Sequence, residues 1–266
     1  VQFRALSQRV MDLWAFSSVA VLLQWGIGIL VTVVVLQTLW QELNPGFGAL
    51  IAAGFVGGHG TAAAIGDSFR ELGWADGGSL AMTSATVGIL SAIIGGIIWV
   101  RWGTNTGNAG LVATFDQLPK SMRTGLVEEG SRDATGRETV SANSIETFAF
   151  HFSIIAATAL IGYFLSRWSA GLFPHGKLPV FCMAYVAASG LHALLRSLRI
   201  LRYVDTRTIR HIGGALTDLL VVFGIASIVP AVIVQYAAPL SLLLIAGVAV
   251  CGLLFRYLGP QFFSAF

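Results

Sequence analysis

Five consecutive residues carry groups that can bind both an anion and a small cation: Gly57-Gly58-His59-Gly60-Thr61. The three glycines leave their backbone N–H and C=O groups unhindered, while His59 adds an imidazole and Thr61 a hydroxyl. Free amides at the start of a helix favour a carboxylate, and exposed carbonyls favour Na⁺. We therefore predict that Gly57, Gly58, His59, Gly60 and Thr61 bind a solute, with Na⁺ held by the backbone of Gly57, Gly58 and Gly60. The alternative is that these glycines only let two helices pack closely.

The surrounding stretch, residues 46–69, predicts two short helices that meet at an unwound tip. Thirteen of its 24 residues are glycine or alanine. Each interior glycine costs a helix about 1 kcal/mol relative to alanine, which disfavours a helix through 57–61. Inside a bilayer, non-helical backbone persists only where protein buries it or where it lines a watery cavity. The stretch is therefore typical of the re-entrant binding hairpin of a transporter.

Three side chains in the neighbouring apolar runs are candidate ion ligands: Thr83, Thr86 and Asp218. The threonine hydroxyls either bind an ion or bond back to a carbonyl of their own helix. Asp218 lies inside an apolar run, where a carboxylate is costly and faces an ion, a partner on another helix, or water. Gln24 also has two interpretations, a bond to a neighbouring helix or a place on the path of the solute.

The composition excludes a soluble protein. The 266 residues are 55% hydrophobic and 11% charged, against about 25% charged in soluble domains. The net charge of +3 is small, so a nucleic-acid surface is not expected. The sequence contains no nucleophile elbow, zinc-protease, Walker or kinase motif, and the histidines lack metal-ligand spacing. We therefore expect a membrane protein that is not an enzyme and has no cofactor.

The apolar runs predict an all-α polytopic membrane protein with about six transmembrane helices plus one re-entrant hairpin. The six runs are long enough to cross about 30 Å of hydrocarbon and comprise residues 16–40, 78–100, 147–168, 178–195, 212–234 and 239–257. Between the second and third runs, residues 101–146 form a hydrophilic segment that predicts a mobile linker between two membrane halves. In the second run, small residues recur on one helix face, which favours close approach of another helix: Ser84, Gly88, Ser91 and Gly95.

The loop charges favour a hairpin that enters and leaves by the same side of the membrane. If residues 46–69 re-enter, 13 Lys and Arg residues fall on one side and three on the other. If this stretch crosses fully, the split is 11 to five. The positive-inside rule favours the more uneven split. The linker is then expected in the cytoplasm, and the hairpin is expected to dip in from outside.

The motif at residues 57–64, together with Gln24, Gly26-Ile27-Gly28 and the long polar linker, resembles the bacterial sodium/glutamate symporter family. The resemblance implies two inverted five-helix repeats, each with a re-entrant hairpin, joined by a cytoplasmic loop. On that template, residues 1–100 are the end of the first repeat, 101–146 the linker and 147–266 the start of the second repeat. The resemblance further implies a fragment that lacks the first helices, the second hairpin and the last helix.

The function implied by this resemblance is Na⁺-coupled symport of L-glutamate or a related acidic amino acid by alternating access. The resemblance also implies a homodimer in the bacterial inner membrane, with residues 57–61 at the first of two hairpin tips. Two alternatives remain open. One is a Na⁺-coupled carboxylate transporter of other specificity, and the other is a channel-like or non-transporting membrane subunit.

Overall fold

The computed structural model describes residues 2–106, 118–172 and 178–262, with side chains from Val10 onward. Within these ranges, helices are the only regular elements. The α-helices are α1 (Gln2–Val31), α2 (Gln37–Leu39), α3 (Gly58–Glu71), α4 (Gly77–Asn105), α5 (Lys120–Thr124), α6 (Thr147–Ser169), α7 (Val180–Ser197), α8 (Thr206–Ala226), α9 (Pro230–Gln235), α10 (Ala237–Leu253) and α11 (Gly259–Phe262). Single π-helical turns occur at Thr32–Leu36, Ile51–Val56 and Leu254–Leu258.

Among the described residues, six helical segments are long and apolar enough to cross a bilayer, which confirms the prediction of an all-α polytopic membrane protein. They are Val10–Leu39, Gly77–Asn105, Thr147–Ser169, Val180–Ser197, Thr206–Ala226 and Ala237–Phe262. Large apolar side chains such as Leu90 and Ile97 are exposed along them. An apolar surface of this extent is unsuited to water and suits contact with lipid.

The fifth membrane helix differs from its predicted bounds of 212–234. α8 begins at Thr206, next to its capping residue Asp205, and ends at Ala226. A separate helix, α9, begins at Pro230, and the preceding Val229 is extended, with φ −94° and ψ 108°. Proline lacks the N–H that a continuing helix needs and disfavours helical geometry in the residue before it. The predicted run therefore joins two helices.

The hydrophilic segment 101–146 is more ordered at both ends than a free linker. Its first residues continue α4 as far as Asn105. Near its other end, the backbone N–H of Arg137 donates to Asp205 Oδ2 at 3.2 Å. Residues 107–117 of the predicted linker lie outside the described residues. The parts described are therefore held by helix continuation and by a hydrogen bond.

The chain forms two compact units, which are described separately. The first consists of Val1–Leu126 with Leu220–Phe266, and the second of Val127–Leu219. The boundary lies within α8, so the last turns of this helix belong to the first unit. The division into two inverted repeats at the linker stays a prediction.

The core of the first unit surrounds a short apolar helix, Pro45–Val56, called the first arm below. Phe47, Leu50 and Ile51 in this arm are completely buried. It packs against α1, α3, α4 and α10. Because protein covers the arm on several sides, its position is set by neighbouring helices and not by lipid.

α1 crosses the first arm at a point where two glycines bring the backbones together. A Cβ added to Gly28 would lie 3.2 Å from the carbonyl carbon of Gly48 and closer still to its oxygen. A Cβ added to Gly48 would lie 2.7 Å from Cα of Ile29. Neither position has space for a side chain, so this crossing depends on glycine in both elements.

This crossing predicts different effects for two glycines in the same helix. Gly28→Ala should destabilise the protein by about 1–3 kcal/mol, the usual cost of overpacking. Gly26→Ala is the matched control, since an added Cβ there meets nothing within 4 Å, and it should be neutral or slightly stabilising. Thermal unfolding of both variants in mild detergent measures the difference. Equal melting temperatures for the two variants would contradict the close crossing.

The second unit is built on an antiparallel pair, α6 and α7. The two helices meet closely at Gly162, where an added Cβ would lie 2.7 Å from Cβ of Ala184.

In α6, His151 is completely buried. Its Nε2 accepts the backbone N–H of Asp205 at 2.7 Å, and its Nδ1 bonds to the Thr147 carbonyl at 2.6 Å. Because a backbone N–H can only donate, Nε2 carries the lone pair and Nδ1 the proton. His192, in α7, is exposed.

Asp205 joins the start of α8 to two other segments. Its Oδ2 accepts the Thr208 hydroxyl at 2.7 Å, the Thr208 backbone N–H at 3.0 Å and the Arg137 backbone N–H at 3.2 Å. These hydrogen bonds, the one from the Thr208 hydroxyl above all, lower the pKa of Asp205 from 3.8 to about 2. The ionised carboxylate is therefore the form that caps the helix.

The lowered pKa of Asp205 predicts how acid affects the second unit. Its folded pKa of about 2 lies below the ordinary value of 3.8, so the stabilisation is present above pH 3.8 and is lost as the pH falls through about 2. Thr208→Val should raise the pKa of Asp205 and move the acid-induced loss of helix to higher pH. Circular dichroism in detergent between pH 2 and 5 measures this shift.

Thr217→Val is the control for this experiment, because the Thr217 hydroxyl bonds only to the Gly213 carbonyl in the same helix. An acid transition at the same pH in all three proteins would show that the Thr208 hydrogen bond does not hold the Asp205 carboxylate ionised.

Candidate functional site

The first arm and α3 form a helical hairpin whose outer ends lie side by side. The ring of Phe47, at the start of the first arm, lies 6.2 Å from the ring of Trp74, which follows α3. The ring of Phe69, at the end of α3, lies 4.7 Å from the same Trp74 ring. The two arms therefore begin and end at one end of the first unit and meet at a tip formed by Gly57 and Gly58.

The break at the tip is confined to two residues. Gly57 closes the π turn of the first arm, and its N–H donates to the Ala52 carbonyl at 3.1 Å. Gly58 has φ +70°, a conformation that costs other residues about 1–2 kcal/mol. The predicted unwound run extended to Thr61, but His59, Gly60 and Thr61 form the first turn of α3. The N–H groups of a first turn need no intrahelical acceptor, so glycine there weakens the helix little.

The first arm is fastened to α4 by small residues and one hydrogen bond. The Ser84 hydroxyl donates to the Leu50 carbonyl at 2.8 Å. An added Cβ on Gly54 would lie 2.7 Å from Cβ of Ser84, and one on Gly88 would lie 2.8 Å from Cα of Phe55. The predicted close-approach face is thus confirmed for Ser84 and Gly88.

His59 is buried beneath the tip, with 3% of its surface exposed. Its Nε2 lies 3.2 Å from the Thr86 hydroxyl, which itself donates to the Met82 carbonyl at 3.0 Å. Because the hydroxyl uses its one proton in that bond, Nε2 donates and Nδ1 carries the lone pair. Nδ1 is buried and has no hydrogen-bond partner among the residues that the structure describes. The site therefore contains an acceptor that nothing in the described chain satisfies.

The last turns of α8 cover the hairpin tip. An added Cβ on Gly224 would lie 2.6 Å from Cδ2 of His59 and 3.2 Å from the Met82 sulfur. One on Gly60 would lie 3.6 Å from a methyl group of Leu220. Gly224 and Leu220 were not predicted as site residues. The available signal was a glycine within the apolar run 212–234, but nothing in the sequence indicates that it faces His59.

The structure brings together several of the predicted site residues in the first unit. The five tip residues and Thr86 lie together around the His59 hydrogen bond. Thr83, one turn before Thr86, donates to the Ser79 carbonyl at 2.9 Å, so both threonines bond back to their own helix. Asp218 is exposed on α8 and belongs to the second unit.

Gln24 bonds to a neighbouring helix, which was one of its two predicted roles. It is 1% exposed, and its Nε2 lies 2.9 Å from the Cys251 sulfur and 3.5 Å from the Gly247 carbonyl, both in α10. Its Oε1 is buried without a partner in the described part of the chain. Gln24 therefore joins α1 to α10.

Comparison with family models identifies the family to which the protein belongs. The family model described as sodium/glutamate symporter matches residues 3–263. The chain belongs to the sodium/glutamate symporter family. No curated protein and no solved structure matches it.

Membership of the sodium/glutamate symporter family defines the class of function. Symporters of this family are transporters and not enzymes, and the family implies Na⁺-coupled transport of glutamate. With six candidate membrane helices in the part of the chain that the structure describes, this member is a multi-pass membrane protein.

The hydrogen bond between His59 and Thr86 predicts unequal effects for two threonines of α4. Thr86→Val leaves the buried His59 N–H without an acceptor, which should cost about 1–3 kcal/mol. Thr83→Val removes only a bond to its own helix and should cost clearly less. Thermal unfolding in detergent compares them. A larger loss for Thr83→Val would contradict the assigned pairing of His59.

Proposed function

We propose that this symporter takes up L-glutamate or a related acidic amino acid together with Na⁺, and that the hairpin tip, residues 57–61, forms part of the binding site. The observation that carries the proposal is the break at Gly57–Gly58, where a helix begins beside a buried, unsatisfied imidazole nitrogen. The first N–H groups of an α-helix lack intrahelical acceptors and carry partial positive charge. They are suited to a substrate carboxylate.

Close packing explains Gly57, where an added Cβ would lie 2.7 Å from Cβ of Thr61, but it does not explain Gly58 or Gly60. An added Cβ meets nothing within 4 Å at Gly58 and only a Leu220 methyl group, at 3.6 Å, at Gly60. The described residues of the first unit therefore leave space for a side chain at Gly58 and at Gly60. This argues for a role of the bare backbone and against the alternative in which the glycines only allow two helices to approach.

A re-entrant path is supported by length and by geometry. The 12 residues of Pro45–Val56 make a helix of about 18 Å, which is too short for about 30 Å of hydrocarbon. The rings of Phe47 and Trp74 bring the two outer ends of the hairpin together. With the charge split of 13 to three, we infer that the hairpin dips in from outside and that its tip lies at membrane depth.

Backbone carbonyls and threonine oxygens are the proposed Na⁺ ligands. Thr83 and Thr86 each donate a proton to a carbonyl. Both lone pairs of the Thr83 oxygen then remain as acceptors for a cation, whereas Thr86 keeps one, because the other accepts the His59 N–H. The carbonyls of Gly57, Gly58 and Gly60 are the other proposed ligands, because these residues have no side chain of their own. Asp218, in the second unit, is proposed separately as an ion ligand, as a carboxylate within a membrane helix.

The remaining parts of the proposal follow from the family. They are alternating access, a homodimer and a bacterial inner membrane. A Na⁺-coupled carrier of another carboxylate would transport a dicarboxylate in preference to glutamate, and a channel-like subunit would show flux that does not depend on Na⁺. Uptake in proteoliposomes with Na⁺ or K⁺ outside, and with glutamate or a dicarboxylate as solute, separates these functions.

Two substitutions test the role of the tip in transport. Gly58→Leu should abolish Na⁺-dependent glutamate uptake, because it places a side chain over the helix start and disfavours φ +70°. Thr61→Ala should weaken uptake by removing a hydroxyl. Uptake at several Na⁺ concentrations measures both effects.

Gly73→Leu is the matched control, because Gly73 also has positive φ, +87°, with nothing within 4 Å of an added Cβ, but lies beyond the hairpin. It should carry the same backbone strain and keep its uptake. If Gly58→Leu and Gly73→Leu reduce uptake equally, or if neither tip variant changes it, the site assignment is wrong.

A further inference from the structure

An apolar groove in the first unit runs along α4, and neither His59 nor Thr61 lines it. Its volume is about 700 Å³, within the range of about 300–1,000 Å³ found for ligand sites. One wall is formed by residues between 88 and 103 of α4, and the other by residues between 248 and 255 of α10 and the following π turn. Phe55 and Val56 of the first arm also line it.

The groove is open because small residues line it. An added Cβ at Gly95, Gly96 or Gly252 meets nothing within 4 Å. Between positions 88 and 103, an α-helix rises about 22 Å. One leaflet contributes about half of the 30 Å hydrocarbon core. The groove is therefore long enough to hold one acyl chain from a single leaflet.

Aromatic rings line one end of the groove, and two arginines neighbour these rings in the sequence. The ring of Trp99 lies 5.6 Å from that of Trp102 and 5.0 Å from that of Phe255. Arg101 directly precedes Trp102, and Arg256 directly follows Phe255; both arginines are exposed. The ring contacts therefore place the two arginines at the same level of the two walls. Tryptophans occur at the headgroup level of membranes, and basic residues between membrane helices bind anionic lipid headgroups.

We propose that this groove binds one anionic phospholipid of the bilayer, with an acyl chain along α4 and the phosphate at Arg101 and Arg256. The apolar wall provides contact for the chain, while the two arginines complement the charge of the headgroup. This inference does not depend on the proposed solute site.

Charge favours an anionic lipid over a helix from a second copy. Arg101 and Arg256 are exposed at the level of the aromatic rings, where the headgroup of a phospholipid lies.

Filling the groove tests the position of the lipid. The full-length chain is purified in mild detergent and stripped of lipid. Phosphatidylglycerol or phosphatidylcholine with identical acyl chains is then added, and native mass spectrometry counts the bound molecules. Gly95→Leu, whose side chain projects into the groove, should remove one phosphatidylglycerol molecule. Gly190→Leu is the matched control, because an added Cβ on this α7 glycine also meets nothing within 4 Å.

Removing the charges tests the recognition of the headgroup. The double variant R101Q/R256Q should bind phosphatidylglycerol about five-fold more weakly for each arginine removed, while its phosphatidylcholine binding stays unchanged. The control R196Q/R199Q removes two arginines at the end of α7 and should keep the wild-type preference.

Three results would overturn the proposal. The first is equal binding of the two lipids by the wild-type protein. The second is an unchanged lipid count in Gly95→Leu. The third is a change of subunit number in Gly95→Leu with no change in bound lipid, which would assign the groove to contact between copies of the chain.

Discussion

Backbone amides and carbonyls at membrane depth must find partners within the protein, and this requirement shapes the first unit. A hairpin with a π turn, a break and a positive φ cannot face lipid. It lies among α1, α3, α4 and α10, and Ser84 satisfies the Leu50 carbonyl. The glycines at positions 28, 48, 54 and 88 let the surrounding backbones come close enough to exclude lipid.

The same enclosure explains why the chemistry at the tip is sparse. His59 is held by one hydrogen bond to Thr86 and by contact with Gly224. The imidazole is thereby oriented with a lone pair and no partner in the described chain. An unsatisfied buried acceptor destabilises a protein, so its presence beside a helix start fits a site that is completed by a ligand. The hairpin tip supplies polar groups in fixed directions and contains no permanently charged side chain.

Much of the fold follows from the sequence because the governing quantities are local. The membrane helices were predicted by comparing the length of each apolar run with the thickness of the hydrocarbon core, and six are found among the described residues. The cluster of glycines around His59 gives the break in the hairpin. The break between α8 and α9 was missed because membrane helices tolerate proline, so Pro230 alone does not mark an end. Gly224 beside His59 and Cys251 beside Gln24 were missed because each pair is distant in sequence and depends on how helices pack.

The described part of the chain contains π turns at Thr32–Leu36, Ile51–Val56 and Leu254–Leu258. No residue type in the sequence indicates where such a turn occurs. Each turn contains one residue more than an α-helical turn would. One extra residue rotates everything beyond it by about 100° around the helix axis. Loss of one residue from such a turn would keep the helix intact but turn its later side chains to a different neighbour. The number of residues in these turns therefore determines which helix faces meet in the first unit. This effect does not depend on which side chains the turns contain.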